Sequence, residues 1–182
     1  MLGAMTGVGT FLDSLQTSSF AAASPATLQS FPETSALTAD EIDAFCDVMT
    51  YAVLSTTRPD GRPHAAPVGY LARGQRLWIA SVAGATRLRN LSHRPAATLV
   101  VTDGQGDSHV ALIVEGTVSL HLEPQPILDT WLRDAWRERF GTDLNWARAL
   151  IELDPTKVLS YGHGRVPARD RAVEHEGREG DG

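Results

Sequence analysis

The sequence predicts a mainly β chain of the α+β class: six antiparallel strands closing into a small barrel, with a few flanking helices. Three observations carry this expectation. Strand-type tracts follow one another from Tyr51 to Leu122, with turn residues between them. One pair of tracts is joined through Asp60-Gly61, the strongest short-range hairpin signal. Helical periodicity is largely confined to the flanks of this tract. Many short strands with few helices suit a sheet closed on itself.

The elements follow in order. Residues 1–35, rich in Ala, Ser and Thr, show no sustained period. They read as a loose leader holding no more than a short helix near Phe11–Leu15. Order begins at Thr38, which forms a capping-box pattern with Glu41. Ile42, Phe45, Cys46 and Met49 then fall on one helical face. Strands are expected over Tyr51–Thr57, His64–Leu71, Arg76–Val82, Ala96–Asp103 and Ser108–Leu122. A short helix from Thr86 to Ser92 links the third to the fourth. Glu115-Gly116 inside the long strand suggests a bulge or bend. Ile127–Phe140 carries Leu128, Trp131, Leu132, Ala135 and Trp136 on one helical side, and Gly141 stops it. Leu144–Leu153 reads as a second short helix and Lys157–Gly164 as the last strand. One barrel domain over 36–164 is expected, with a mixed-charge, Gly-rich disordered tail over 165–182.

Composition narrows the function classes. The 182 residues are 42% hydrophobic and 21% charged, ordinary for a globular chain. No apolar run reaches 18 residues, so no membrane helix is expected. Cys46 is the single cysteine, which excludes an internal disulfide and points to a reducing cytoplasm. The net charge is -6, and no Lys or Arg precedes Arg58, whereas six acids do. That acidic start is unlike a secretory or transit signal, and no basic face for nucleic acid is evident.

Few residues offer chemistry. The chain holds no dinucleotide fingerprint, phosphate loop, zinc-protease motif or nucleophile elbow. Cys46 lies on an apolar helical face and reads as a buried structural thiol. The six histidines show no metal-ligand spacing. No acid–base pair stands out, so no catalytic residue is assigned, and any redox chemistry falls to a bound cofactor. His64 and Tyr70 are the side chains considered for proton donation. The four tryptophans read as core. The stretch "GATRLRNLSHRP" (Gly84–Pro95) is the informative one. A strand leaves Ser81, passes small residues and enters a helix near Thr86, where unpaired N–H groups and a positive dipole end suit an anion. Thr86 adds a hydroxyl and Arg87 a charged fork. The same spacing also fits a solvated helix whose arginines pair with surface acids.

"AVLSTTRPDGRPHAAPVGYL", "RLWIAS", "ATRLRNLSHRPAATLVV" and "VEGTVSL", in that order, resemble the split β-barrel superfamily of pyridoxamine 5'-phosphate oxidase-like proteins. The resemblance spans about Ile42 to Tyr161 and is nearer to the deazaflavin (coenzyme F420)-dependent reductases than to the vitamin B6 oxidases. It implies a cytoplasmic homodimeric oxidoreductase using FMN or F420, with a slight lean to F420, that transfers a hydride to an unsaturated small molecule. Two cofactor sites would lie at the subunit interface. The cofactor's phosphate arm would meet Thr86, Arg87, Leu88 and Arg89, with Ser81 as a hydroxyl donor. The ring would lie along Ala66, Pro67, Val68, Gly69, Ala80 and Ser81. "HAAPVGYL" lacks the basic residues of the B6 oxidases, and "GHGRVPAR" does not match their substrate segment, which points away from B6 oxidation. The other function the barrel implies is a non-catalytic carrier of flavin, deazaflavin or haem.

Overall fold

The computed structural model describes residues 7–105 and 107–163. The tail expected over 165–182 lies outside them. Seven strands form one antiparallel sheet: β1 (Tyr51–Thr57), β2 (Pro63–Gly69), β3 (Leu71–Arg73), β4 (Arg76–Ser81), β5 (Ala96–Gln105), β6 (Ser108–His121) and β7 (Ala149–His163). Their order is β2-β1-β5-β6-β7-β4-β3. The outermost strands, β2 and β3, are consecutive in sequence, with only Tyr70 between them. Two residues of chain span at most about 7 Å, so the edges of the sheet must come together. The sheet therefore curls into a barrel that is split, because those edges share no ladder.

The seventh strand arises inside the tract read as one strand, His64–Leu71. β2 pairs with β1 through Gly69, whereas Leu71 already pairs with Trp78 on the far side of the split. The Asp60-Gly61 hairpin forms as expected, with Gly61 at φ +88°. The irregularity at Glu115-Gly116 is a β-bulge, and the residue left unpaired is Thr156 of the facing strand.

Five main helical segments flank the sheet. α1 (Val8–Ala21) and α2 (Pro25–Ser30) precede α3 (Ala39–Val48), whose Thr38–Glu41 capping box is complete. α4 (Thr86–His93) links β4 to β5, and a segment running from Gln125 through a π-turn at Leu128–Leu132 ends as α5 (Arg133–Phe140). Gly141 stops it in the left-handed region.

Two expectations are corrected. The leader is not loose: α1 buries Val8, Leu12, Gln16, Ser19 and Phe20 against the barrel. Two members of that stripe are polar, which hid its period. They face β7 beyond the reach of β4, which pairs only with Ala149–Leu153. There Ser19 Oγ accepts the Val158 amide at 3.0 Å. Ser160 Oγ accepts the Leu37 amide at 2.8 Å and donates to Gln16 Oε1, while Gln16 Nε2 donates to Leu37 O at 2.9 Å. Thus α1, in covering this part of β7, supplies the hydrogen-bond partners that its own burial of these groups requires. The second correction concerns Leu144–Leu153. Residues from Ala149 onward extend β7, with Ala149, Leu150, Ile151 and Leu153 all buried. A strand covered on both faces is a continuous apolar run, which periodicity does not separate from a buried helix.

The main core joins Leu54, Leu99, Leu112, Val114 and Ile79 of the sheet to Leu12, Ile42 and Phe45 of the helices. A second cluster packs Leu128, Leu132 and Trp136 against Leu71, Ala80 and Leu150.

Candidate functional site

The geometry of α4 fixes the site. β4 ends at Ser81, and Gly84 (φ +71°) turns the chain into the helix. Leu88 and Leu91 then enter the main core. Asn90, fully buried, donates from Nδ2 to Thr56 Oγ1 at 2.9 Å and ties the helix to β1. No side chain caps the helix start at Ala85. The amides of Leu88 and Arg89 turn back to Ala85 O, while those of Thr86 and Arg87 precede the first intrahelical partner.

Arg87 lies on the flank of this anchored helix. Its Nε donates to Ser81 Oγ at 3.1 Å, and Ser81 Oγ in turn donates to Val82 O at 3.3 Å. Ser81 is fully buried. Pinning Nε leaves both terminal nitrogens of the guanidinium for another partner. Arg87 has no carboxylate within ion-pair distance among the described residues. Burial alone lowers its pKa, as expected for a cation drawn from water without compensation.

The guanidinium borders a pocket of about 310 Å³ over the split of the barrel. One wall is Pro67, Val68 and Gly69 of β2 with Ala80 of β4; the other is Tyr51, Trp136, Phe140, Thr142 and Trp146. Gly69 permits the two walls to meet: a Cβ there would lie 2.9 Å from the tip of Phe140 and 3.0 Å from Trp136.

Of the residues read from sequence, Pro67, Val68, Gly69, Ala80 and Arg87 line this pocket. The others do not. Ala66 lies next along β2, half-buried; Ser81 stands behind Arg87; Thr86 opens α4; Leu88 is core; Arg89 is exposed. The aromatic wall was missed, because an apolar helical period does not separate core from pocket lining. The proton-donor candidates lie elsewhere. His64 Nδ1 meets Thr56 Oγ1 at 3.4 Å, and Tyr70 is fully buried beside Cys46. Desolvation pushes the Cys46 thiol up to about 12, consistent with a structural thiol. Among the described residues no group of three or more metal-ligating side chains forms, and no helix is long and apolar enough to cross a membrane. The pocket can bind an anion at one end and a flat apolar body beside it. Its lining offers no histidine or carboxylate for acid–base work.

No curated protein matches the chain. Solved structures do. A conserved hypothetical protein from Mycobacterium tuberculosis is 20% identical with a TM-score of 0.62, over 83% of this chain and 98% of that one. HutZ, the haem storage protein from Vibrio cholerae, is 18% identical with a TM-score of 0.58, over 69% of this chain and 94% of that one. An F420 reductase is 21% identical with a TM-score of 0.51, over 63% of this chain and 92% of that one. At these identities the likeness establishes the fold. The family model described as pyridoxamine 5'-phosphate oxidase matches residues 38–162, from the cap of α3 to the end of β7. With that match and the split barrel together, the chain belongs to the pyridoxamine 5'-phosphate oxidase family.

Proposed function

We propose that the chain is a flavin- or deazaflavin-dependent oxidoreductase, which holds FMN or coenzyme F420 while a hydride passes between the cofactor and an unsaturated small molecule. The observation that carries this reading is Arg87, a half-buried guanidinium with no anionic partner, pinned by Ser81 at the rim of an aromatic pocket. A phosphate-bearing planar cofactor supplies both missing partners, an anion for the fork and a flat apolar body for the walls. The lean is to F420, supported by the likeness to an F420 reductase. When bound, such a ring carries the hydride. The chain's part is to grip the phosphate, orient the ring and exclude water.

A homodimer belongs to the same proposal. The pocket of one chain is at the small end of the roughly 300–1,000 Å³ usual for ligand sites. On the outer face of the sheet Val53 stands opposite Pro67 and Val100, and Val100 opposite Ile113. Val53 is 39% exposed, so this apolar row suits a second copy that completes the site.

A carrier without turnover is the second reading, favoured by the lack of acid–base groups in the lining. As a haem site the pocket fits less well, since its lining holds no histidine, cysteine or methionine. Titrating the purified protein with FMN and F420 and following fluorescence quenching tests the proposal. Failure to bind either at tens of micromolar overturns it. Tight binding with no hydride transfer to any of a panel of unsaturated acceptors turns the enzyme into the carrier.

A further inference from the structure

The far end of the β6–β7 ladder carries a cluster of rings outside the pocket. His109 of β6 stands directly opposite His163 of β7, and Tyr161 opposes Ala111 one step along the same face. Leu112 belongs to the main core, Val110 packs against it, and Ser160 and Gly162 are buried. By alternation His109, Tyr161 and His163 stand on the outer face of the sheet. Both histidines are exposed. Their ring centroids are 5.6 Å apart. The His109 ring packs on Tyr161 at 5.0 Å, and the Tyr161 and His163 rings lie nearly parallel at 6.5 Å. Tyr161 is held in turn by Phe31, which meets it edge-on at 6.5 Å. The rings therefore restrain one another, although they face solvent. The imidazole hydrogen bonds among the described residues belong to His64, His93 and His121. His109 and His163 have none there, so each neutral ring keeps a nitrogen lone pair for another partner.

Side chains directly opposed on an antiparallel ladder start from Cβ atoms about 5 Å apart. A tetrahedral ion that binds nitrogen at about 2.0–2.1 Å holds two imidazole centroids about 5 Å apart. The observed 5.6 Å is a small side-chain rotation from that bite. We propose that His109 and His163 form a two-nitrogen chelate for a divalent transition-metal cation of the Zn²⁺, Ni²⁺ and Cu²⁺ class, with water in the remaining positions. Imidazole suits these ions, whereas Mg²⁺ and Ca²⁺ take oxygen ligands. The net charge of -6 favours the approach of any cation. Cys46, the single cysteine, is buried and does not compete for metal. Neither histidine lines the pocket at Arg87, so the chelate is independent of the cofactor reading.

Calorimetric titration of the tag-free full chain with Zn²⁺ and with Ni²⁺ should show one ion per chain, undisturbed by millimolar Mg²⁺. His109→Gln and His163→Gln each leave a single ligand, and each should weaken binding about tenfold or more, since the second nitrogen no longer acts within one molecule. His93→Gln, on α4, should change nothing. Both chelating positions are exposed, so the metal-free variants should melt like the parent, while metal should raise the melting temperature of the parent alone. Paramagnetic resonance of the Cu²⁺-loaded parent should show coupling to two nitrogens, a readout that needs no variant. No uptake of Zn²⁺ or Ni²⁺ by the parent overturns the proposal. So does binding by both glutamine variants that equals the parent's, or a Cu²⁺ spectrum with fewer than two coupled nitrogens.

Discussion

Arg87→Ala separates a phosphate grip from an ordinary surface arginine. The Nε of Arg87 is committed to Ser81 at 3.1 Å, so the two terminal nitrogens are what a phosphate would receive. A hydrogen bond to a charged group is worth about 1.5–3 kcal/mol. Arg87 is half-exposed, and solvent screening places it in the lower part of that range, about 1.5–2 kcal/mol. The expected loss of FMN affinity is therefore about 10- to 30-fold. Riboflavin, which has the same ring without the phosphate, should bind the variant and the parent alike. The ratio of the two affinities is thus the readout, measured by fluorescence quenching at low and raised salt, and salt should weaken FMN more than riboflavin. The cofactor-free variant should melt within about 0.5 kcal/mol of the parent, because the side chain removed is a partly desolvated cation whose one bond, to Ser81, is offset by the relief of its uncompensated charge. An unchanged ratio would refute the argument, as would an equal loss for both ligands.

Three further expectations concern the scaffold. Gly116→Ala places a Cβ 2.1 Å from the backbone oxygen of Asp154 across the bulge, and urea denaturation should show a loss at or beyond the roughly 1–3 kcal/mol of ordinary overpacking. Ser160→Ala removes the acceptor of the Leu37 amide and the donor to Gln16; a loss of about 1–3 kcal/mol, with faster hydrogen exchange at Leu37, is expected. Cys46 should resist thiol reagents until the chain unfolds. Its pKa is raised in the folded state, so the stability gained by keeping the thiol neutral is complete below the ordinary value near 9 and drains away as pH climbs toward about 12, which alkaline melting curves would reveal.

The sheet was largely legible because its turns carry local chemistry. Asp60-Gly61 and the Thr38–Glu41 box act through their own backbone neighbours, so they need no tertiary context. The split of His64–Leu71 into β2 and β3 was not legible. Tyr70 carries no breaker signal, and the change of partner there follows from closure of the whole barrel. Gln16 and Ser19 misled in a similar way, since the partners that offset their burial include the Leu37 carbonyl, the Ser160 hydroxyl and the Val158 amide of distant segments. At the site, Arg87 and the small residues of β2 and β4 could be found because a strand, a turn and a helix start place them locally. Trp136 and Phe140 could not, because one helical face points partly into core and partly into the pocket.

The position of β7 sets the order in which this chain can be assembled. It is the last described strand to leave the ribosome, yet it sits inside the sheet, between β6 and β4. Until it arrives, the β3–β4 hairpin has no ladder to join, and α1 lacks the partners that Ser19 and Gln16 find on β7, the Val158 amide and the Ser160 hydroxyl, more than a hundred residues away. A nascent chain halted before Ala149 therefore holds a four-stranded piece and a stranded hairpin. Contacts of such long sequence separation make for slow closure. While synthesis lasts, the apolar edges of both pieces are open to wrong partners, and nascent-chain quality control would meet this protein at that stage.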